Sequence, residues 1–599
     1  MSLLAAALLA FQGASPDSAA AYRLDLARHF FVSAETEAAA RAQLGDRVSG
    51  LRRAGAAAAG SPRALLGALR LADSVRKESR RHTIYLYLRT RLNTQDQGSA
   101  QAQSRLEAEL SAALSVLHDR LLALDEAVLA RWFRAVPALE DYRFAVESVR
   151  ALRRHTRPAE PEGIMSALAP LAADWPVALY HRLMARTEFG TLPTPAGDLR
   201  VLRDRGAIAA LSDTALRAEG VRRLWAGYAQ HRDLYAMALV GTVRARNGLA
   251  RVRGYRDAPE EAYRRAFLSP PEVLGLLNRV RPAGRIYKEF QQVNRQLSRT
   301  PRPPQAEIAG PPRFSVGQAG ALIQSELAPL RNPEYAGELA GLLDPASGRV
   351  DLAGGPNRAG GGGSTGFPGT PSAIYLEHFG GSYADLSRLA HEAGHAVENQ
   401  LLHLHGVPAV YAEGASYLSE AYALFTELVV ANGLYEKAAT PRLKRFYLGQ
   451  FLNKAMEVFH GAQDADLEQA IYDLVTRAGT IGADDLDSLT SRVDTAWSIA
   501  GETQPEVRTR WITARLLYED PLYLFNYMYS GLLALKLFES YQRDPAGFGA
   551  RYVALLSSGY RSPPTVAVRQ AFGIDLEDPD LLRDATAFLA ARLTVYRGG

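Results

Sequence analysis

The sequence predicts a mainly α protein with a small β element just ahead of its most chemically loaded helix. Three observations carry this. Apolar residues recur at three- and four-residue spacing from about residue 22 to 300 and again from 383 almost to the end, as in "SRLEAELSAALSVLHDRLLALDEAVLARWF" (104–133). That is the period of a helix with one buried face. β-Branched alternation is scarce in these runs. One stretch breaks the pattern: "GGPNRAGGGGSTGFPGTPSAIYLEHFGGS" (354–382) is glycine-rich and contains "SAIYLEHF" (372–379), which reads as a strand.

A chain of 599 residues is too long for one compact core and suggests two or more domains, or one large helical enclosure. Breaks fall at Gly60-Ser61-Pro62, at Pro158 through Gly163, at Pro193-Thr194-Pro195, and in the proline-rich "SRTPRPPQ" (298–305). We read residues 22–205 as an N-terminal helical lobe without evident chemistry and 206–599 as a second region that holds the glycine-rich stretch. No fixed-period repeat is present. Residues 1–21, "MSLLAAALLAFQGASPDSAAA", read either as a secretory signal lacking a basic start or as a short first helix. Both an exported and a cytoplasmic location therefore stay open. No other run is long and apolar enough to span a bilayer.

Composition narrows the chemistry. Apolar residues make up 47% and charged residues 22%, which suits a folded chain. Lys+Arg (69) and Asp+Glu (64) nearly balance to a net +5, with no basic block interleaved with aromatics, so no nucleic-acid partner is expected. Cysteine is absent, so thiolate nucleophiles, disulfides and Cys-ligated metals are excluded. Any metal must use His, Asp or Glu, and only 12 His are available.

Two of those histidines sit in "RLAHEAGHAVENQ" (388–400). On a helix capped by Ser382, His391 and His395 lie one turn apart on one face, where two imidazoles can hold one Zn²⁺. Glu392 is then placed beside the attacking water as general base. A catalytic zinc needs a third protein ligand and an open position. The HExxHxxGxxH pattern fails, because Glu398 and Leu401 occupy the glycine and histidine positions. Downstream, "YAEGASYLSEAYALFTELVV" (411–430) offers Glu413, Glu420 and Glu427 at seven-residue spacing. If the segment is one helix, all three face one way, and periodicity alone does not choose among them. Tyr417, Leu418, Leu424 and Phe425 mark that helix as buried, where a carboxylate needs a partner.

HEAGH, Glu420 twenty-five residues beyond His395 and Glu427 seven further on resemble the thimet oligopeptidase and oligoendopeptidase F family of zinc peptidases. So do "ARVRGYRDAPEEAYRRAFLSPPEVLGLL" (250–277), "IYLEHFGGSYADLSRLAHEAGH" (374–395) and "YVALLSSGYRSPPTVAVRQAFGIDLEDPD" (552–580). The resemblance implies a two-lobed helical shell around a deep channel and endopeptidase action on short oligopeptides. It implies one Zn²⁺ per chain on His391, His395 and Glu420, with Glu427 as a supporting carboxylate. The glycine-rich stretch reads either as a surface linker or, beside this helix, as a substrate-binding edge at Ala373, Ile374, Tyr375 and Gly380, where an extended peptide adds its backbone hydrogen bonds. Glu413 remains a rival ligand, since "AEGAS" is similar to the third-ligand segment of the gluzincin aminopeptidases, one residue short in spacing.

Two positions depart from the family pattern. Glu398 stands where oligoendopeptidase F proteins usually carry a histidine. The tyrosine-rich stretch that holds substrate through a histidine in the family reads "LLYEDPLYLFNYMYSGLLALKLFE" (516–539) here, without one. Aligned on Gly531, Tyr518 falls at that position, and Tyr523, Tyr527 and Tyr529 remain as phenol donors. Two further readings fit the same motifs: a helical HExxH metallocarboxypeptidase, and a catalytically weakened homologue that binds peptides. Oligomeric state is not legible.

Overall fold

The computed structural model describes residues 18–157, 159–299 and 312–598. Residues 1–17 of the N-terminal apolar segment, Pro158 and most of the proline-rich connection lie outside them. The described chain is mainly helical, with small sheets. Helices Ala34–Ala57, Pro62–Leu92 and Gln97–Ala123 pack on one another around their own apolar core, which includes Leu44, Leu51, Leu65, Leu117 and Phe133. A second, larger core runs from Tyr22 and Tyr180 to Tyr596 and takes in most helices from Arg232–Val252 onward, while Leu192, Val201 and Ile208 form a small cluster of their own. Helix Ala159–Arg186 packs against Arg232–Val252 within this larger body.

The sheet beside the HEAGH helix has three strands in the order Val350–Asp351, Thr370–Leu376, Gly362–Phe367. The last two form an antiparallel hairpin, and Val350 pairs in parallel with Ile374. Thr370–Leu376 is therefore central and Gly362–Phe367 is the edge. Glycine lets this sheet lie directly on helix Tyr383–Leu404: a Cβ on Gly366 would stand 2.5 Å from Asn399.

Helix Tyr383–Leu404 starts where the sequence said it should. Ser382 accepts from the Asp385 N–H, and Asp385 returns a bond from its carboxylate to the Ser382 N–H at 3.0 Å. Its closest helical partner, Ser416–Glu436, is apolar around most of its circumference and buried accordingly. That helix also packs against Pro441–Ala455 and Phe525–Arg543, which makes it the axis of the region. At the first crossing Gly394 touches backbone: a Cβ there would meet the Ala423 Cα and the Thr426 Oγ1, each at 2.9 Å. A second tight crossing joins Glu457–Arg477 to Phe525–Arg543, where Gly461 faces the Met528 N and Gly531 the Val458 N, with hypothetical Cβ contacts of 2.5 and 2.4 Å.

These contacts set a stability expectation. Gly394→Ala forces the two helices apart and costs about 1–3 kcal/mol, the usual range for overpacking. Urea unfolding of the variant checks it, with a lowered midpoint as the expected result.

Candidate metal centre

Helix Tyr383–Leu404 presents His391 and His395 on one face, and Ser416–Glu436 presents Glu420 opposite them. The His391 Nε2 lies 3.5 Å from the Glu420 Oε2, and the His395 Nε2 lies 3.9 Å from the same oxygen. Ligand atoms of the three residues fall within 4.8 Å of one another, and no other such group occurs among the described residues. A zinc ion bonded at about 2.0–2.2 Å draws tetrahedral ligand atoms to about 3.4 Å apart, so the set fits the ion. The donor chemistry fits as well, since both imidazoles aim Nε2 inward while Nδ1 is engaged from behind.

The two rear contacts differ. His391 Nδ1 meets the Glu427 Oε1 directly at 2.9 Å, and Glu427 is itself held by Lys454 Nζ at 3.0 Å and by the Ser387 hydroxyl. His395 Nδ1 meets the Ser419 Oγ at 3.0 Å, and Ser419 in turn donates to the Glu398 Oε2 at 2.6 Å. Tyr560 donates to the other Glu398 oxygen at 3.1 Å. Burial opposes charge on His391, but its hydrogen bonds to Glu420 and Glu427 and their charges prevail and push its pKa up to about 10. Burial, then the neighbouring His391, pull His395 down to about 4. Glu420 and Glu427 resist burial through their partners, His391 foremost for Glu420 and Lys454 for Glu427, and fall to about 2. Two carboxylates thus hold one positive charge among the ligand atoms, the field a bound cation requires.

Glu392 borders the same space and burial pushes its carboxyl up to about 7. The space is a cavity of about 490 Å³ lined by Gly362, Gly363 and Ser364 of the edge strand, by the ligands, and by Lys454, Glu457 and Tyr527. Tyr523 donates to the Glu420 Oε1 at 2.9 Å, and its ring packs on Tyr527. Tyr523 is delivered by a constrained turn. Leu522 has φ 67°, unusual for a residue with a side chain, and its N–H donates to the buried Glu468 at 2.6 Å.

Other sequence candidates land elsewhere. Glu413 precedes the helix rather than sharing it, is largely exposed, and pairs with Arg80 at 2.9 Å, so it is no rival to Glu420 for the cluster. Tyr529 lies two positions beyond Tyr527 on one helix, and such residues do not share a face. It is buried against Tyr417 and Phe525. Tyr518 is buried with its ring stacked on Tyr180 at 4.3 Å. Ala373, Ile374 and Tyr375 are buried in the central strand, and Ile374 and Tyr375 pair on both sides, so they offer no free edge. The edge strand Gly362–Phe367 borders the cavity instead. Gly380 belongs to the turn before the helix, donating to Asp385 and accepting from Arg313. Sequence reasoning missed Ser419, Lys454, Tyr560 and Glu468. Ser419 directly precedes Glu420, which is the one local signal that pointed to it.

Known proteins resemble this chain in sequence and in fold. The family model of oligopeptidase F matches residues 120–189. The chromosomal oligoendopeptidase F of Lactococcus lactis subsp. cremoris is 20% identical over 395 residues, which span 65% of this chain and 64% of that protein. Oligopeptidase PepF of Bacillus subtilis (strain 168) is 21% identical over 546 residues, 88% of this chain and 80% of that protein. The crystal structure of oligoendopeptidase-F from Enterococcus faecium shares the fold at a TM-score of 0.65 and 17% identity, covering 93% of this chain and 97% of that one. The chain is similar to oligoendopeptidase F proteins in sequence and in fold.

Two expectations follow. Glu420→Ala abolishes stoichiometric zinc binding while Glu413→Ala leaves it intact, as measured by metal analysis after gel filtration. Burial pushes the Glu468 carboxyl up to about 8 from an ordinary 4.5. The folded chain therefore holds a proton that the unfolded chain has lost, and stability falls as pH rises through that window. Urea unfolding at pH 5, 7 and 9 reads this as a loss on the order of a few kcal/mol, with a flatter profile in Glu468→Gln.

Proposed function

We propose that the chain is a zinc-dependent endopeptidase that hydrolyses short oligopeptides, with residues 206–599 as its catalytic region. The observation that carries the reading is convergence: three ligand atoms and a buried Glu392 border one open cavity beside a glycine-rich strand edge. His391, His395 and Glu420 would hold the ion. When bound, zinc supplies Lewis-acid chemistry to the scissile carbonyl and the attacking water.

The side chains supply the rest. Glu392 takes the proton of the attacking water and passes it to the leaving amine, a role suited to a carboxyl raised to about 7. Glu427 and Ser419 hold the two imidazoles in orientation. Tyr523 braces Glu420, which leaves Tyr527, on the cavity wall, as the phenol best situated to donate to the developing oxyanion. The edge strand at Gly362–Ser364 presents backbone to an extended peptide.

Glu392→Gln is expected to lower turnover by about 10²- to 10⁴-fold while zinc stays bound. Chelation should abolish activity and added zinc restore it. The assay is cleavage of a peptide blocked at both ends, with products identified by mass spectrometry. Internal cleavage is the expected result; release of only a terminal residue from an unblocked peptide would mark a carboxypeptidase, and zinc binding without cleavage a peptide-binding protein.

A further inference from the structure

The unequal support of the two imidazoles leads beyond the reaction itself. His395 has no carboxylate behind it. It has a hydroxyl, and a hydroxyl can either accept from an imidazole N–H or donate to a bare ring nitrogen. These alternatives have opposite consequences. When Ser419 accepts, Nδ1 carries the proton and Nε2 keeps its lone pair toward the cluster. When Ser419 donates, the proton moves to Nε2 and that nitrogen cannot bind a metal.

The direction of the Ser419 hydroxyl is set one residue further out. Glu398 is buried at 4% exposure and, ionised, only accepts. Its Oε2 takes the Ser419 proton at 2.6 Å and its Oε1 takes the Tyr560 proton at 3.1 Å. Tyr560 has little room to move: its N–H is bonded to the Tyr411 carbonyl at 2.9 Å, and its ring lies against Gly414, where a Cβ would approach to 1.9 Å. The chain of bonds therefore runs one way, from His395 to Ser419 to Glu398.

The geometry points to Glu398 as a positioning residue that fixes the metal-binding tautomer of His395 through Ser419, with Tyr560 holding the carboxylate in register. This rests on the zinc reading above. It also accounts for an acidic residue at a position where the family usually has histidine.

An isosteric substitution tests the direction rather than the shape. In Glu398→Gln, with Tyr560 keeping the donor role it has toward the carboxylate, the amide turns its oxygen to Tyr560 and its NH₂ to Ser419. Ser419 must then donate to His395 Nδ1, and the order inverts. Zinc affinity, measured at pH 8 by competition with a chromophoric chelator, is expected to fall by about 10- to 100-fold. Tyr560→Phe alone leaves affinity near wild type, because ionised Glu398 still accepts from Ser419. In the double variant E398Q/Y560F the amide is free to turn over and accept from Ser419, so most of the lost affinity returns. A role confined to filling space predicts no such rescue.

The proposal is overturned if Glu398→Gln binds zinc as tightly as wild type, or if the double variant stays as weak as Glu398→Gln. Wild-type zinc content and peptide turnover are measured alongside. Wild-type protein that neither binds zinc nor cleaves peptide would overturn the functional reading itself, whatever the variants do.

Discussion

The cluster of His391, His395 and Glu420 depends on how closely helices Tyr383–Leu404 and Ser416–Glu436 approach one another. Gly394 sits between the two histidines and touches the Ala423 backbone and the Thr426 hydroxyl. Because that contact is backbone to backbone, the side chains on either side span only a short gap. His391 and His395 on one helix then meet Glu420 and Glu427 on the other without long reaches. A larger residue at 394 would move the two sets of side chains apart as units, since each is fixed to its own helix. The apolar surface of Ser416–Glu436 holds the crossing in place, so ordinary core packing positions the polar site.

Within that frame the electrostatics are arranged unevenly. Glu427 is neutralised by Lys454 and backs His391 directly, whereas Glu398 lacks a cationic partner among its bonds and backs His395 through a hydroxyl. Burial pushes Glu398 up to about 7, while Glu427 stays near 2 because Lys454 and His391 face it. One imidazole is thus held by charge and the other by hydrogen-bond direction.

Much of the centre was legible in the sequence because helices translate spacing into direction. His391 and His395 four apart, and Glu420 and Glu427 seven apart, state which faces they occupy once the helices are known. The Ser382 cap likewise followed from local chemistry. Glu413 shows where that reasoning stops: its spacing matched the series, but the helix begins at Ser416 and the periodicity no longer applies before it. The substrate strand shows another limit. Residues 373–375 were recognised as strand, yet whether a strand is central or an edge is decided by pairing with Val350–Asp351, a long-range fact absent from the local pattern. Ser419, Lys454, Tyr560 and Glu468 share that origin, since each acts through a contact with another segment.

The tyrosines separate by the same geometry, and their separation explains the unusual turn before Phe525–Arg543. Tyr527 reaches the cavity from the helix, so the helix rotation is already committed to it, and Tyr529 must face the core. Tyr523 can reach Glu420 only from the chain that enters this helix, and that chain has to reverse sharply at Leu522 with φ 67°. A left-handed residue with a side chain costs about 1 kcal/mol or more and persists only when its surroundings insist on it. Glu468 supplies that insistence by accepting the Leu522 N–H inside the core. A buried carboxyl with no partner in the metal cluster therefore governs the cluster at one remove. It fixes the turn, the turn aims Tyr523, and Tyr523 occupies the Glu420 oxygen that does not face the histidines.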